Sequence, residues 1–529
     1  MGNEVRPASR RGVSPGKYEV EAEPLLAGQR KPRILIVTPE ITYLPEGMGN
    51  MANSLRAKAG GLADVSASLV SALYRQGADV HVALPNYRRM FNVDIGKFIG
   101  NELRLYLTNL SNHRIHLAED RIFYYRDTVY SNYSDDAMRF AMAFQREVIN
   151  NIIPAVNPDL IHCNDWMTGL IPAFARRMNI PCLFTVHNIH TQKATLATIE
   201  DRGIDAAEVF SDLYYEYAPY NYEESRSHNR VDFLASGIFA AHFINTVSPT
   251  FLREIVHGWH SFIPDNIRRE ITGKFNAGCA EGILNAPDES DNPAVDPNLE
   301  VKYTAADHRY GKLRNKIAFQ SKTGLIINDR APLFFWPNRL DPIQKGCQLL
   351  TDILYRLTAD YAEQGFQLAI VANGEYQKYF RQIVEYHNLY DRVTVCDFDD
   401  ALSHLAFAAS DFILMPSLFE PCGLPQMTSQ LYGSLPVVHD TGGLHDTVEH
   451  LNMDSHTGNG FCFETYDSNG LYWAVGEAMR FFAQPEDVKE RETARIMTEA
   501  RSRFNHDVTA SKYIDIYEKM LNRRLVTKR

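Results

Sequence analysis

The chain has 529 residues, 45% hydrophobic and 22% charged, with a net charge of −11 and a sequence pI near 5.9. That length exceeds one ordinary core and predicts two domains. The acidic balance argues against a nucleic-acid-binding face, so any anionic ligand needs a local cationic site.

Residues 1–31 mix Arg with Glu19, Glu21 and Glu23 and carry no apolar signal core, so a disordered tail without a secretory or organelle leader is expected. The longest apolar runs are strand-length, which predicts no membrane span. Seven cysteines lie far apart with no CxxC pair, which indicates neither a zinc knuckle nor a disulfide scaffold. Reduced thiols in a cytoplasmic protein are the simpler expectation.

From Lys31 onward, strand-like runs alternate with helical segments: "RILIVTPE", a helix from Gly61 towards Gln76, "DVHVALP", "DLIHCNDW", "CLFTVHN" and "HFINTVSP". A second series follows with "PLFFWPNRL", "QLAIVANG", "RVTVCDFD", "DFILMPS" and "LPVVHDTGG". Such alternation predicts parallel strands buried on both faces, joined by crossover helices. Two doubly wound α/β domains fit, meeting near residues 325–331. The closing "DVTASKYIDIYEKMLNRR" has apolar residues at helical spacing and Asp507 or Thr509 as caps, so it predicts a terminal amphipathic helix.

Several strand ends carry chemistry. In "KAGGLADV", Gly60 and Gly61 open a helix whose first N–H groups favour an anion, and Lys58 adds a charge; a plain tight turn reads equally well. A dinucleotide site fits worse, because the string is not GxGxxG and Asn86 ends the next strand where an acid is needed. His162, Asp165, His187 and Asn188 follow strand ends, where open α/β sheets place their ligand crevice; either histidine can instead serve local packing. Arg339 and Lys345 share one loop, as a diphosphate clamp or as solvated charges. In "FEPCGLP", Glu420 can accept sugar hydroxyls and the N–H groups from Cys422 through Gly423 to Leu424 can donate, while Cys422 itself has no base to activate it. "DTGGL" offers a second glycine pair, Gly442 and Gly443, suited to phosphate.

Taken in order from Ile34 to Leu521, the strings "KAGGLADV", "HCNDWMTGLIP", "VHNI", "NTVSPT", "GILN", "RLDPIQKG", "FEPCGLPQ", "TGGLHDTV" and "SKYIDIYEKML" resemble the glycogen and starch synthases of glycosyltransferase family 5. The resemblance implies a GT-B fold, two Rossmann-like domains facing across a cleft: a first domain over 32–328, a nucleotide-sugar domain over 329–505, and a terminal helix in 506–529 returning to the first. It implies an enzyme, a retaining glucosyltransferase passing glucose from ADP-glucose to the non-reducing end of an α-1,4-glucan with neither metal nor cofactor. Carried over, Arg339 and Lys345 become the diphosphate clamp, His187 supports the glucose, and Glu420 orients it. Lys58, Gly60 and Gly61 face the donor, and Asp165, Asn188 and Asn285 line the sugar side.

This chain also departs from the family pattern. Five residues instead of four separate Arg339 from Lys345, so that loop must bulge. About ten extra residues precede Lys58, "VHNIHTQKA" replaces the family's "VHNIAYQG", the Gly after Asn285 is missing, and Leu418 stands where Arg is common. These changes keep open another nucleotide sugar or acceptor, and a catalytically weak glucan-binding scaffold of the same fold.

Overall fold

The computed structural model describes residues 30–49, 52, 55–91, 114–131 and 133–526, so the expected tail lies almost wholly outside the described residues. Apolar runs too uniform for a one-sided sheet become strands buried on both faces. The first unit contains β1 (Arg33–Val37), β2 (Asp79–Pro85), β3 (Ile115–Ala118), β4 (Leu160–Asn164), β5 (Cys182–Val186), β6 (Lys193–Thr195), β7 (Arg230–Asp232), β8 (Phe243–Thr246) and β9 (Ala280–Gly282). Seven of these form one parallel sheet in the order β3-β2-β1-β4-β5-β8-β9, while β6 and β7 pair antiparallel as a separate ribbon.

The second sheet holds β10 (Leu333–Trp336), β11 (Gln367–Val371), β12 (Val393–Cys396), β13 (Phe412–Met415), β14 (Leu435–His439) and β15 (Phe461–Phe463). Its order is β12-β11-β10-β13-β14-β15, all parallel. Each sheet reverses its strand order once, between β1 and β4 and between β10 and β13. In doubly wound sheets the ligand crevice opens at the carboxyl ends of such strands.

The expected meeting point at 325–331 falls inside the second unit. Leu299, Tyr303, Phe319 and Leu325 already pack with Phe335 and Met415 of the second sheet. The intervening helix, His308–Thr323, is anchored by polar side chains: Lys312 Nζ donates to the carbonyls of Ala408, Ser410 and Tyr432, and Lys316 pairs with Asp411 at 2.6 Å. A helix buried through lysines has no apolar stripe to announce it.

The terminal helix, His506–Leu521, returns to the first unit and buries Tyr513, Ile514 and Tyr517 there. Burial of Ile514 alone contributes about 2 kcal/mol. Its cap is Asn505, whose side chain accepts the Val508 N–H at 3.0 Å, and not Asp507 or Thr509. Asn505 is the last residue with extended backbone before the helix, and that geometry defines a cap. No described helix is long and apolar enough to cross a membrane.

Candidate active site

In the first unit, β1 ends at Val37 and the chain turns through Glu40, a buried carboxylate. One oxygen accepts the N–H groups of Ala59 (2.7 Å) and Gly60 (3.0 Å), and the other accepts the Tyr130 hydroxyl at 2.8 Å. Burial raises the Glu40 pKa, and these three hydrogen bonds oppose the rise. Between β1 and Lys58 the backbone pairs Ile41 with Ala57, and Leu44, Met48 and Leu55 are buried. The motif's helix still starts at Gly61. Lys58 is 43% exposed and pairs with Asp64 at 2.9 Å.

Asp165 follows β4 with φ 56° and ψ 179°, a conformation that strains a residue carrying a Cβ. Its carboxylate accepts the His187 N–H at 2.8 Å and the Asn188 amide at 3.2 Å, which gathers three expected sugar-side residues at one point. Burial pushes the Asp165 pKa up to about 7. Burial also pulls His187 down to about 4, so its ring is neutral near pH 7, with Nε2 2.9 Å from the Asn164 amide oxygen. Asn164 in turn donates its own NH2 to the Val37 carbonyl, which leaves the amide oxygen to accept from Nε2–H. His162 takes the packing alternative: it lies between the Tyr517 hydroxyl (2.7 Å) and Thr185 (2.6 Å), tying the terminal helix to the sheet.

In the second unit, Lys345 and Glu420 form a buried ion pair at 2.5 Å, and Ser417 Oγ donates to the same carboxylate oxygen at 3.1 Å. The loop holding Lys345 does bulge. Asp341 Oδ1 accepts the N–H groups of Ile343 (2.9 Å) and Gln344 (2.8 Å), and Ile343 is pushed out to 72% exposure. Gly346, at φ 71°, lets the loop press on Pro416, whose carbonyl oxygen lies 1.9 Å from where a Cβ would stand. The two cations thus have different environments: Lys345 is buried against Glu420, whereas Arg339 is exposed and has no hydrogen-bond or ion-pair partner among the described residues.

The 420–424 loop meets the first unit. Gly61 approaches Leu424, whose Cδ1 lies 3.8 Å from where a Cβ on Gly61 would stand. Cys422 is buried with Val247, Met427 and Phe504, and burial pushes its thiol up to about 12, so it is a packing group and not a nucleophile. Asn285 is buried beside it, its amide oxygen lacking a donor among the described residues. The half-buried N–H groups of Gly423 and Leu424 donate to no other described residue.

The second glycine pair differs from the phosphate site expected of it. The Gly442 N–H goes to Glu254 Oε1 at 2.8 Å, and the Gly443 N–H to the Glu420 carbonyl at 2.8 Å. Both donors are already used, so these glycines hold the Glu420 loop in place. Glu40 and Glu254 are the residues that motif reading missed. Each is a single carboxylate outside any motif that accepts loop N–H groups, 19 and 20 residues away for Glu40 and 188 for Glu254, and only the position of Glu40 just past β1 gave any signal.

A family described as "Starch synthase catalytic domain" matches residues 33–267, and "Glycosyl transferases group 1" matches 320–494. The chain is 33% identical to a glycogen synthase of Exiguobacterium sibiricum over 497 residues, covering 87% of this chain and 95% of that one. It is 34% identical to a glycogen synthase of Cellvibrio japonicus, covering 82% and 91%. The structure is similar to the catalytic domain of starch synthase IV from Arabidopsis thaliana bound to ADP and acarbose, with TM-score 0.74, 26% identity, and coverage of 93% of this chain and 100% of that one.

Proposed function

The chain belongs to the family of glycogen and starch synthases, glucosyltransferases of the GT-B fold, and from that premise we propose that it transfers glucose from ADP-glucose to the non-reducing end of an α-1,4-glucan. The observation that carries this reading is the loop pair at the second sheet's edge: the buried Lys345–Glu420 pair, with Arg339 on the loop of Lys345 exposed and without a partner among the described residues, and Gly61 of the other lobe against Leu424. The Arabidopsis relative's bound ADP supports an adenine nucleotide as donor.

As the bond between the glucose C1 and the diphosphate oxygen breaks, negative charge grows on that oxygen. Arg339 meets it with a planar fork, Lys345 with ammonium protons beyond the one on Glu420, and Gly423 and Leu424 with free N–H groups. Each such donor is worth roughly 10²–10³ in turnover. Glu420, fixed by Lys345 and Ser417, orients the glucose hydroxyls. Positive charge growing at C1 meets the carbonyl of His187, whose N–H is pinned by Asp165. The acceptor hydroxyl attacks from the face the diphosphate leaves, so configuration is retained, and its proton departs with the phosphate. In this reading the charge work falls to side chains and N–H groups, with no resident metal or cofactor, in the cytoplasm.

The test supplies purified protein and glycogen with ADP-glucose or UDP-glucose, and follows nucleotide release and glucan growth. Growth at least tenfold faster with ADP-glucose is expected. Growth with UDP-glucose alone overturns the donor, release without growth overturns the acceptor, and binding without turnover overturns the enzyme reading in favour of a scaffold.

A further inference from the structure

On the outer flank of the second unit, the helices Cys347–Asp360 and Gln377–Tyr386 border an open, shallow hollow of about 920 Å³. Both helices start at the carboxyl edge of their sheet, so the hollow runs from the rim of the cleft, three residues beyond Lys345, down the outside of the lobe. Helical spacing puts Gln348 and Asp352 on one wall and Tyr379, Gln382 and Tyr386 on the other. Tyr376 donates its hydroxyl to Gln348, and its ring lies 4.7 Å from that of Tyr379. Tyr379 is 42% exposed and Tyr386 84%.

The lining excludes several ligand classes. It includes the carboxylates Asp352 and Glu385 and neither Lys nor Arg, and the Lys378 ammonium beside it is turned onto one face of the Tyr379 ring at 4.9 Å, which together disfavour nucleotides, phosphates and other anions. Its one aliphatic side chain is Ile383, too little for an acyl chain or an apolar helix. What remains is rigid tyrosine faces beside amide and carboxylate groups, the combination that suits a neutral polyol with apolar C–H faces and a ring of hydroxyls.

We propose that this hollow is a second carbohydrate site, which holds an internal segment of the same α-glucan whose end the cleft extends. The proposal rests on the acceptor reading above. Its physical consequence is avidity: a branched polymer held on the lobe's flank presents its free ends to the cleft at a high effective concentration.

The test is retardation of the full-length protein in native gels containing glycogen, without any nucleotide sugar, read as an apparent dissociation constant. The double variant Tyr379→Ala/Tyr386→Ala is expected to bind glycogen at least fivefold more weakly, and its KM for glycogen to rise in step. Its KM for the nucleotide sugar and its rate on maltotriose should stay within twofold. Gln382→Ala, which removes a hydrogen-bonding group and no ring, is expected to weaken binding about threefold, and it serves if the double variant folds poorly. Unchanged glycogen retention by these variants overturns the second site and leaves the transferase reading standing. Equal losses on maltotriose and glycogen also overturn it, because the rings would then act through the cleft. A wild-type chain that neither retains nor extends on glycogen overturns the acceptor assignment, and this site with it.

Discussion

Two glycine pairs look alike in the sequence, each at the junction of a parallel strand and a helix, yet the structure uses them in opposite ways. At Gly442 the backbone is left-handed (φ 48°) and a Cβ would stand 2.1 Å from the Glu420 carbonyl oxygen; at Gly443 it would stand 2.0 Å from that of Cys422. Those glycines are filled space. At Gly60 and Gly61 the nearest atoms to where a Cβ would stand are Glu40 Oε1 at 4.0 Å and Leu424 Cδ1 at 3.8 Å. That pair is open space, bounded by the second lobe. A carboxylate from elsewhere in the chain holds each loop, Glu254 in one and Glu40 in the other. In the proposed donor site, anion binding is therefore left to side-chain cations and to the N–H groups of Gly423 and Leu424 in the second lobe, while the first lobe contributes room.

The largest effect should come from Lys345, the buried cation of the proposed donor site. Lys345→Ala leaves Glu420 buried without its partner, which costs about 3–5 kcal/mol of stability, and turnover should fall roughly 10²–10³-fold. Its first-lobe counterpart, Lys58→Ala, removes a half-exposed pair with Asp64 and should cost about 0–1 kcal/mol. Urea unfolding and steady-state rates on both variants check the contrast, and similar losses in the two would erase it.

The lobes should also separate by pH. Asp165 in the first lobe is raised to about 7 by burial, so between pH 4 and 7 the folded chain holds a proton that the unfolded chain has lost. Stability from this group is complete below about pH 4 and drains away as pH rises through about 7, a change of up to ~4 kcal/mol. Asp165→Asn keeps one acceptor oxygen and cannot ionise. The stability of wild type minus this variant should therefore decline from pH 4.5 to pH 8 in urea titrations, and a flat difference would place the Asp165 carboxyl in water.

Gly442→Ala tests the filled pair. Its methyl group meets a backbone oxygen that already accepts the Gly443 N–H, on left-handed backbone, which together cost about 3 kcal/mol. A fall of roughly 6–10 °C in melting temperature follows for a lobe of this size. A variant that melts like wild type would show the junction can yield, and the two pairs would then differ only in degree.

The buried strands were readable because a parallel sheet covered on both faces needs continuous apolar runs; β1, β2, β4, β5, β8 and β10 through β14 all lie in such runs. The strands that escaped are short: β3 is an edge with three of its four residues half-buried, and β6, β7, β9 and β15 have three residues each, β6 beginning inside the "VHNIHTQKA" string that leaves the family pattern. Within the site, the gathering of Asp165, His187 and Asn188 followed from strand ends alone. The pairing of Lys345 with Glu420 did not, because both residue types suit a ligand equally well and 75 residues separate them. Glu40 and Glu254 were hidden for the same reason: a carboxylate that takes N–H groups from a distant loop leaves no spacing to detect.

The smallest expected effect on stability decides whether the first pair is a site at all. Gly61 is the first residue of the helix Gly61–Arg75, its backbone is not left-handed, and an added methyl would make only an ordinary contact with Leu424. Gly61→Ala should leave the melting temperature unchanged or raise it slightly, since alanine is favoured over glycine in a helix by up to about 1 kcal/mol. That methyl would nonetheless stand in the gap between the lobes, where the proposed donor site needs close backbone approach by sugar and phosphates. The KM for the nucleotide sugar should rise several-fold, in a protein as stable as wild type. If the KM stays at the wild-type value, nothing passes close over Gly61, and the first glycine pair is as structural as the second.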